Sequence, residues 1–258
     1  MISDAKCIVF KVGTSTLTHP SGRTNIRRLE ELVQVLADLM NAGKRIALVT
    51  SGAIGVGVGK LNLPERPKDT AGKQAAATVG QCELMFMYDK TFAQYGQKVG
   101  QLLITRSDVE DDKRRENLIR TFDMLFKFGA IPIINENDAV AVDEIVFGDN
   151  DTLSAVVAGL IGADSLVILT ETDGLYDANP QTDPNARRIP VVEKITEEIK
   201  ANAAGPVSVF GTGGMVTKIH AAEYAAEHGI DTYIISGKKP ADIYRLMDGE
   251  DIGTHFLA

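Results

Sequence analysis

The chain has 258 residues, of which 44% are hydrophobic and 24% charged, a balance typical of a soluble globular α/β protein with one large domain or two small ones. A formal net charge of −8 argues against nucleic acid or an anionic membrane as the main partner. Cys7 and Cys82, the only cysteines, are too few for a disulfide framework and lack metal-ligand spacing. The longest apolar run, Ala155–Ala163, is far shorter than a membrane span, and no signal-peptide core is present, so we expect a cytoplasmic protein.

Short apolar, β-branched runs alternate with helical patterns along the chain, which indicates strand–helix–strand units. The predicted strands are Lys6–Lys11, Arg45–Thr50, Val99–Thr105, Ile131–Asn135, Leu166–Thr170 and Thr232–Ser236. The predicted helices are Ile26–Asn41, Ala71–Gln94, Lys113–Phe128, Thr152–Ile161, Gly213–His228 and Ala241–Met247. Because the strands are continuous apolar runs, we predict an α/β fold, a three-layer αβα sandwich with a mainly parallel central sheet.

Two segments depart from this alternation. Ala139–Phe147 has strand character but no helix before the next motif, so we predict a hairpin that projects from the sheet. Asp177–Pro190 contains three prolines and is predicted to be a surface loop.

Glycine-rich or acidic segments follow several predicted strands, where open α/β sheets bind their ligands. They are Lys11–Thr18, Val49–Gly59, Ile134–Val140 and Gly148–Ala155. Taken singly, each segment is adequately explained as a turn, a helix cap or a solvated lysine. Together they supply a lysine, several backbone-amide loops and an acidic cluster, which favours a shared binding site.

The segment GTGGMVTK, residues Gly211 to Lys218, leads three glycines into a helix that carries a lysine near its start. Free amides at a helix N-terminus attract anions, and a lysine there is unfavourable unless an anion comes to meet it. The spacing matches neither a Walker A loop nor a dinucleotide fingerprint. We therefore predict a phosphate site of a different design.

These segments together resemble the amino acid kinase family and, within it, closely the glutamate 5-kinase family. The resemblance covers nearly the whole chain and is most specific in VTSGAIGVG, INENDAV…GDNDTLSA, LTETDGLYDANP and GTGGMVTK. It implies one kinase domain over 1–258, with the amino acid side in about 1–160 and the nucleotide side in about 161–258. It also implies that the chain lacks the C-terminal PUA domain that many members carry.

The implied reaction is phosphorylation of the γ-carboxylate of L-glutamate by ATP with Mg²⁺, the first step of proline biosynthesis. The implied catalytic residues are Lys11, Asp151 and Lys218, with Asp151 positioning the two lysines. The implied substrate-binding residues are Ser51, Gly52, Asp138 and Asn150. The implied nucleotide-binding residues are Lys11, Gly13, Thr170, Glu171, Thr212, Gly213, Gly214, Met215, Val216, Thr217 and Lys218. No residue is implied as a direct metal ligand.

The chemistry of this reaction agrees with such a residue set. A glutamate side chain, with a pKa of about 4.3, is already ionised at neutral pH, so the reaction needs no general base. The obstacle is an anion attacking an anionic phosphoryl group, and cations with backbone amides stabilise the charge that develops there. Asp138 and Asn150, which match the family's substrate-binding positions, suit the α-ammonium of the substrate, whereas Ser51 and the amides near Gly52 suit its carboxylates.

The sequence departs from the family pattern at two positions, and alternatives stay open. Many relatives have aspartate where Glu171 stands, and some have a basic residue where Val146 stands. A kinase for acetylglutamate or aspartate is the nearest alternative, and a non-catalytic amino acid sensor is another; a nicotinamide oxidoreductase lacks its glycine fingerprint here. The resemblance further implies a homo-oligomer, dimer or tetramer, with feedback inhibition by proline.

Overall fold

The computed structural model describes residues 2–19, 23–140, 149–178, 180, 182–203 and 214–258. The strands in these ranges are β1 (Cys7–Val12), β2 (Arg45–Val49), β3 (Lys98–Ile104), β4 (Ala130–Glu136), β5 (Ser165–Thr170), β6 (Val191–Val192), β7 (Asp231–Ser236) and β8 (Thr254–Phe256). The α-helices are α1 (Thr14–Leu17), α2 (Ile26–Asn41), α3 (Ala53–Lys60), α4 (Thr70–Ala93), α5 (Arg106–Glu110), α6 (Asp112–Lys127), α7 (Asn150–Ile161), α8 (Glu197–Ala203), α9 (Met215–Glu227) and α10 (Asp242–Met247). A short 3-10 turn, Ile2–Asp4, precedes β1.

The eight strands form one sheet in the order β3-β4-β2-β1-β5-β7-β8-β6. All pairings are parallel except that of β7 with β8, which is antiparallel. The predicted mainly parallel sheet is therefore confirmed. Parallel strands place their carboxyl ends at one edge, so residues that follow β1, β2, β4, β5 and β7 lie on the same side of the sheet.

Two hydrophobic cores cover the two faces of the sheet. Along β1, Ile8 and Phe10 belong to one core and Cys7 and Val9 to the other, as the two-residue period of a strand requires. The first core also takes apolar residues from α2, α4 and α10, and the second takes them from α6, α7 and α9. The sheet thus lies between two helical layers, which is the predicted αβα arrangement.

Polar side chains cap the N-termini of several helices by accepting a hydrogen bond from a backbone N–H of the first turn. Asn25 accepts from Arg28 N at the start of α2, and Asp149 accepts from Thr152 N at 2.8 Å at the start of α7. Asp69 and Asp111 do the same for α4 and α6. None of the helices in the described part of the chain is long and apolar enough to cross a bilayer.

The predicted strands and helices are confirmed, with ends that differ from the observed ones by no more than two residues within the described ranges. The two segments set apart in the sequence have different outcomes. Asp177–Pro190 forms no helix or strand where it is described, in agreement with a loop, and Tyr176 pairs with Arg188 at its base. The predicted hairpin at Ala139–Phe147 lies outside the described residues from position 141 onward.

Helices α1, α3, α5 and α8 and strands β6 and β8 were not expected from the sequence. Helix α3 contains three glycines, which lower helix propensity, and it is held by close packing on α4. A Cβ atom added to Gly57 would lie 1.8 Å from the carbonyl oxygen of Ala76, and one added to Gly80 would lie 1.7 Å from that of Ala53. Only glycine at these two positions allows the two helix backbones to approach so closely.

Candidate active site

The carboxyl ends of the parallel strands bring most of the predicted site residues to one edge of the sheet. Lys11 is the fifth residue of β1, Ser51 lies two residues beyond β2, and Thr170 ends β5. Since β1 lies between β2 and β5 in the sheet, Lys11 lies between the predicted amino acid side and the predicted nucleotide side.

Asp151 joins two lysines that are far from it in the sequence. Its Oδ1 lies 2.5 Å from Lys11 Nζ, and its Oδ2 lies 3.0 Å from Lys218 Nζ. All three side chains are at least nine-tenths buried, and that of Asp151 is only 1% exposed. Thr217 Oγ1 adds a hydrogen bond of 2.7 Å to the same carboxylate. The structure therefore brings the three residues predicted to be catalytic into one contact group.

The electrostatics of this group follow from its burial and its charges. Burial alone would raise the pKa of Asp151, but the charges of Lys11 and Lys218 outweigh it and hold that pKa well below its usual range. Burial, reinforced by Lys11, lowers the pKa of Lys218, whereas Asp151 opposes that shift. Two ammonium groups against one carboxylate leave an excess positive charge, which suits an arriving phosphoryl group.

Helix α9 begins at the predicted phosphate segment. Gly214 caps its N-terminus, and a Cβ atom added there would meet none of the described residues within 4 Å. The carbonyl oxygen of Gly214 accepts hydrogen bonds from Thr217 Oγ1 at 2.9 Å and from Lys218 Nζ at 3.3 Å. The described residues thus leave room at the helix start, where Met215, Val216 and Thr217 form the first turn. Thr212 and Gly213, also predicted here, lie outside the described residues, as does Val146.

The predicted amino acid side is organised around Asn150, the first residue of α7. Its Nδ2 donates to the carbonyl oxygen of Thr50 at 2.6 Å, to Ser51 Oγ at 2.9 Å and to Asn135 Oδ1 at 2.8 Å. Gly52 follows with a positive φ of 97°, a conformation that favours glycine. Ser51, Gly52 and Asn150 thus lie together beyond β2.

Asp138 lies two residues beyond β4 and is half buried. Burial raises the pKa of its carboxyl group, and the positive charge of Arg66 partly offsets that rise. None of the described residues hydrogen-bonds to this carboxylate, so it remains available to a cation. The structure does not bring it into hydrogen-bonding contact with Ser51 or Asn150.

A cavity of about 400 Å³ opens on the other side of Lys11, beyond β5 and β7. Thr170 and Glu171, both predicted on the nucleotide side, line it. The hydroxyl of Thr172, also in its wall, is buried without a partner among the described residues, so a ligand hydrogen bond would satisfy it. Gly13 borders Lys11, since a Cβ atom added to Gly13 would lie 3.8 Å from Lys11 Nζ.

Several residues of the site were missed from the sequence. Arg28 of α2 and Lys238 after β7 add two cations to the wall of this cavity, and Arg28 donates to the carbonyl oxygen of Ser15 at 3.1 Å. Asn135 lies in the motif INENDAV and could have been found there as a polar residue at a strand end. Gln81 accepts a hydrogen bond from Asn135. It could not have been found from the sequence, because nothing there distinguishes it from other polar residues of a helix.

The fold defines the class of protein to which the chain is similar. The structure is similar to that of a UMP kinase from Bacillus anthracis, with a TM-score of 0.67 and 14% sequence identity. The superposition covers 98% of this chain and 96% of the UMP kinase. An isopentenyl phosphate kinase from T. acidophilum gives a TM-score of 0.67 at 19% identity, over 97% of this chain and 99% of that one. At such identities the likeness concerns the fold alone.

Sequence comparison is more specific. The amino acid kinase family matches residues 6–236, and the chain belongs to that family. A glutamate 5-kinase from Clostridium acetobutylicum is 54% identical over 99% of this chain and 96% of its own length. One from Clostridium perfringens is 49% identical, over 100% of this chain and 97% of its own length. The chain is also 52% identical to a glutamate 5-kinase from Moorella thermoacetica, of which it spans 68%.

Proposed function

We propose that this chain phosphorylates the γ-carboxylate of L-glutamate with ATP, giving L-glutamyl 5-phosphate and ADP, the first step of proline biosynthesis. The observation that carries the proposal is the contact of Lys11 and Lys218 with the single carboxylate of Asp151, between the two predicted halves of the site. The glutamate 5-kinases that are about half identical to the chain over nearly its whole length support the choice of substrate.

The proposed chemical role of Lys11 and Lys218 is to stabilise negative charge on the transferring phosphoryl group. The carboxylate of glutamate attacks the γ-phosphorus, the bond to the β,γ-bridging oxygen breaks, and ADP leaves with the electron pair. The two anions repel each other as they approach, and fixed ammonium groups offset that repulsion and the charge that develops on the transferring group, which lowers the barrier without any proton transfer. Asp151 holds the lysines in place and, in the low-dielectric interior, favours the charged form of Lys218.

The proposed glutamate site lies on the side of β2 and β4. The carboxylate of Asp138 would receive the α-ammonium, with Asn150 as a second acceptor, and Ser51 with the amides near Gly52 would receive the carboxylates. Asp138 is half buried and accepts no hydrogen bond from the described residues, which supports this role, because burial penalises its charge more than Arg66 offsets. This assignment also argues against acetylglutamate, whose acetylated nitrogen carries no positive charge.

The proposed ATP site joins the start of α9 to the cavity beyond β5. Gly13, Gly214 and the amides of 215–217 would surround the phosphates, with Thr212 and Gly213, and Thr170 and Glu171 would lie on the adenine side. The buried hydroxyl of Thr172, which has no partner among the described residues, supports occupation of the cavity by a polar ligand. Within the described ranges no three side chains of metal-ligand type cluster, so we assign Mg²⁺ chiefly to the phosphates, whose charge it would neutralise.

The proposed glutamate and ATP sites divide the single domain into two parts. Residues of about 1–160 would supply the amino acid side, and residues of about 161–258 the nucleotide side. The family resemblance extends the proposal to a cytoplasmic enzyme, to a dimer or tetramer, and to feedback inhibition by proline. Light scattering tests the assembly, and glutamate turnover measured across a proline titration tests the inhibition.

ADP release across a panel of acids tests the proposed substrate. We expect turnover with L-glutamate far above that with L-aspartate, N-acetyl-L-glutamate or carbamate. Faster turnover with aspartate or acetylglutamate would assign the chain to another branch of the family. No turnover with any acid, combined with saturable glutamate binding, would favour the non-catalytic sensor.

A further inference from the structure

A row of three side-chain amides runs behind the proposed glutamate site. Asn150 Nδ2 donates to Asn135 Oδ1 at 2.8 Å, and Asn135 Nδ2 donates to Gln81 Oε1 at 2.9 Å. Asn135 and Gln81 are buried, whereas Asn150 is half buried at the edge of the site. The row therefore connects Gln81, a buried residue of α4, with the surface proposed to bind the substrate.

Backbone groups determine which atom is the oxygen and which the nitrogen in the side-chain amides of Asn135 and Asn150. The N–H of Glu136 can only donate, and it lies 2.9 Å from Asn135 Oδ1, so this atom must be an oxygen. The carbonyl of Thr50 can only accept, and it lies 2.6 Å from Asn150 Nδ2, so that atom must be a nitrogen. Asn150 consequently keeps its Oδ1 as an acceptor, and none of the described residues donates to it.

An acceptor oxygen at this place suits the α-ammonium of an amino acid. Resting on the function proposed above, we infer that Gln81 is a positioning residue for substrate selection, acting through Asn135 on the Asn150 oxygen that faces the ammonium. Without the Gln81 oxygen, Asn135 Nδ2 would be a buried donor with no acceptor. Asn135 would then rotate to satisfy it and release one of the contacts that hold Asn150.

Burying the side-chain amide of Gln81 costs free energy that an apolar residue at this position would not cost. Its Nε2 is buried with no partner among the described residues, whereas a methionine of similar length would bring no polar atom of its own into the interior. The oxygen on the same amide is the atom that Asn135 requires. Retention of a half-satisfied glutamine therefore agrees with a role in orienting Asn135.

The position of α4 makes this role geometrically direct. Gly80 lets the backbone of α4 contact Ala53, two residues after Ser51. Two helical turns beyond Gln81, the hydroxyl of Tyr88 lies 2.9 Å from Thr50 Oγ1. Helix α4 thus supports the glutamate side at two points, through residues that we place outside direct contact with the substrate.

Substitution of Gln81 with methionine, which removes the oxygen at similar length, tests the inference. The constants to measure are the KM values for glutamate and ATP, kcat, and the Ki of glutarate, which is glutamate without its ammonium group. We expect the Gln81→Met variant to raise the glutamate KM about fivefold to tenfold, the size of one lost hydrogen bond. The glutarate Ki, the ATP KM and kcat should stay within about twofold, since none of them involves the ammonium.

Thr91→Val is the matched control on the same helix. Thr91 is buried, and its hydroxyl donates to the carbonyl oxygen of Met87 within α4, so this variant should leave the glutamate KM unchanged. Gln81→Leu removes the same oxygen and decides the question if the methionine variant does not fold.

The inference is overturned if the glutamate KM stays unchanged, or if it rises together with the glutarate Ki. The second result would indicate a general loss of site geometry. If the parent enzyme does not phosphorylate glutamate, the proposed function fails and this inference with it. An active parent with an insensitive Gln81 variant overturns this inference alone.

Discussion

Replacing Asp151 with asparagine removes the negative charge between two buried lysines while keeping the size of the side chain. Each ammonium group lies within 3.0 Å of the carboxylate, and at an effective dielectric constant of about 20 such a contact is worth about 4 kcal/mol or more before desolvation. Breaking a buried ion pair typically costs about 3–5 kcal/mol. We therefore expect Asp151→Asn to lower the free energy of unfolding at neutral pH by an amount of this order.

The same change should reduce catalysis and alter its pH dependence. Burial and Lys11 already lower the pKa of Lys218, and Asp151 is the largest influence that opposes them. Without that carboxylate the pKa falls further, so Lys218 loses its proton at a lower pH than in the parent. We expect kcat to fall roughly 10²-fold or more, with residual activity that declines as the pH rises.

Steady-state kinetics from about pH 6 to 9 and urea unfolding of both proteins measure these effects. Asp151 has a folded pKa below its unfolded value, so its stabilising contribution is present above about pH 4 and is lost as the pH falls through the folded pKa. The stability difference between parent and variant should therefore shrink in acid. A variant with near-parental kcat and an unchanged pH profile would refute the proposed role of Asp151.

Three further substitutions separate recognition, nucleotide binding and packing. Asp138→Ala should raise the glutamate KM roughly 10- to 100-fold and move the ATP KM much less; a lower melting temperature with an unchanged glutamate KM would return Asp138 to a structural role. Arg28→Ala should raise the ATP KM about tenfold without changing the glutamate KM, and an unchanged ATP KM would contradict its place in the nucleotide cavity. Gly57→Ala should lower the free energy of unfolding by about 2 kcal/mol or more, because its Cβ would overlap the Ala76 carbonyl. Gly55→Ala, whose Cβ meets only Thr14 at 3.6 Å, is the control, and equal losses in both would refute the packing argument.

The sequence predicts the sheet well because its central strands are buried on both faces. Strands β1 and β5 are continuous apolar runs, which is the pattern that a parallel sheet requires. Strands β6 and β8 have only two and three residues, too few to show any period. Helix α3 escapes prediction because its glycines oppose helix formation locally and are explained only by the close approach of α4.

The site is predictable in its parts but not in its assembly. Glycines and polar residues at strand ends indicate that ligands bind there, yet no spacing shows that Lys11 and Lys218 share Asp151; the family resemblance supplied that grouping. The hydrogen bonds from Gln81 through Asn135 to Asn150 form because α4, β4 and α7 lie next to one another, which only the folded chain establishes. Long-range contacts of this kind leave no local pattern in a single sequence.

Trapping of the product with hydroxylamine tests the central claim most directly. Hydroxylamine converts an acyl phosphate to a hydroxamate, so the purified chain with ATP, Mg²⁺ and L-glutamate should accumulate γ-glutamyl hydroxamate in step with ADP. The Lys218→Ala variant should form roughly 10²-fold less per unit time. Absence of hydroxamate with glutamate, combined with its formation from aspartate or acetylglutamate, would contradict the proposed reaction.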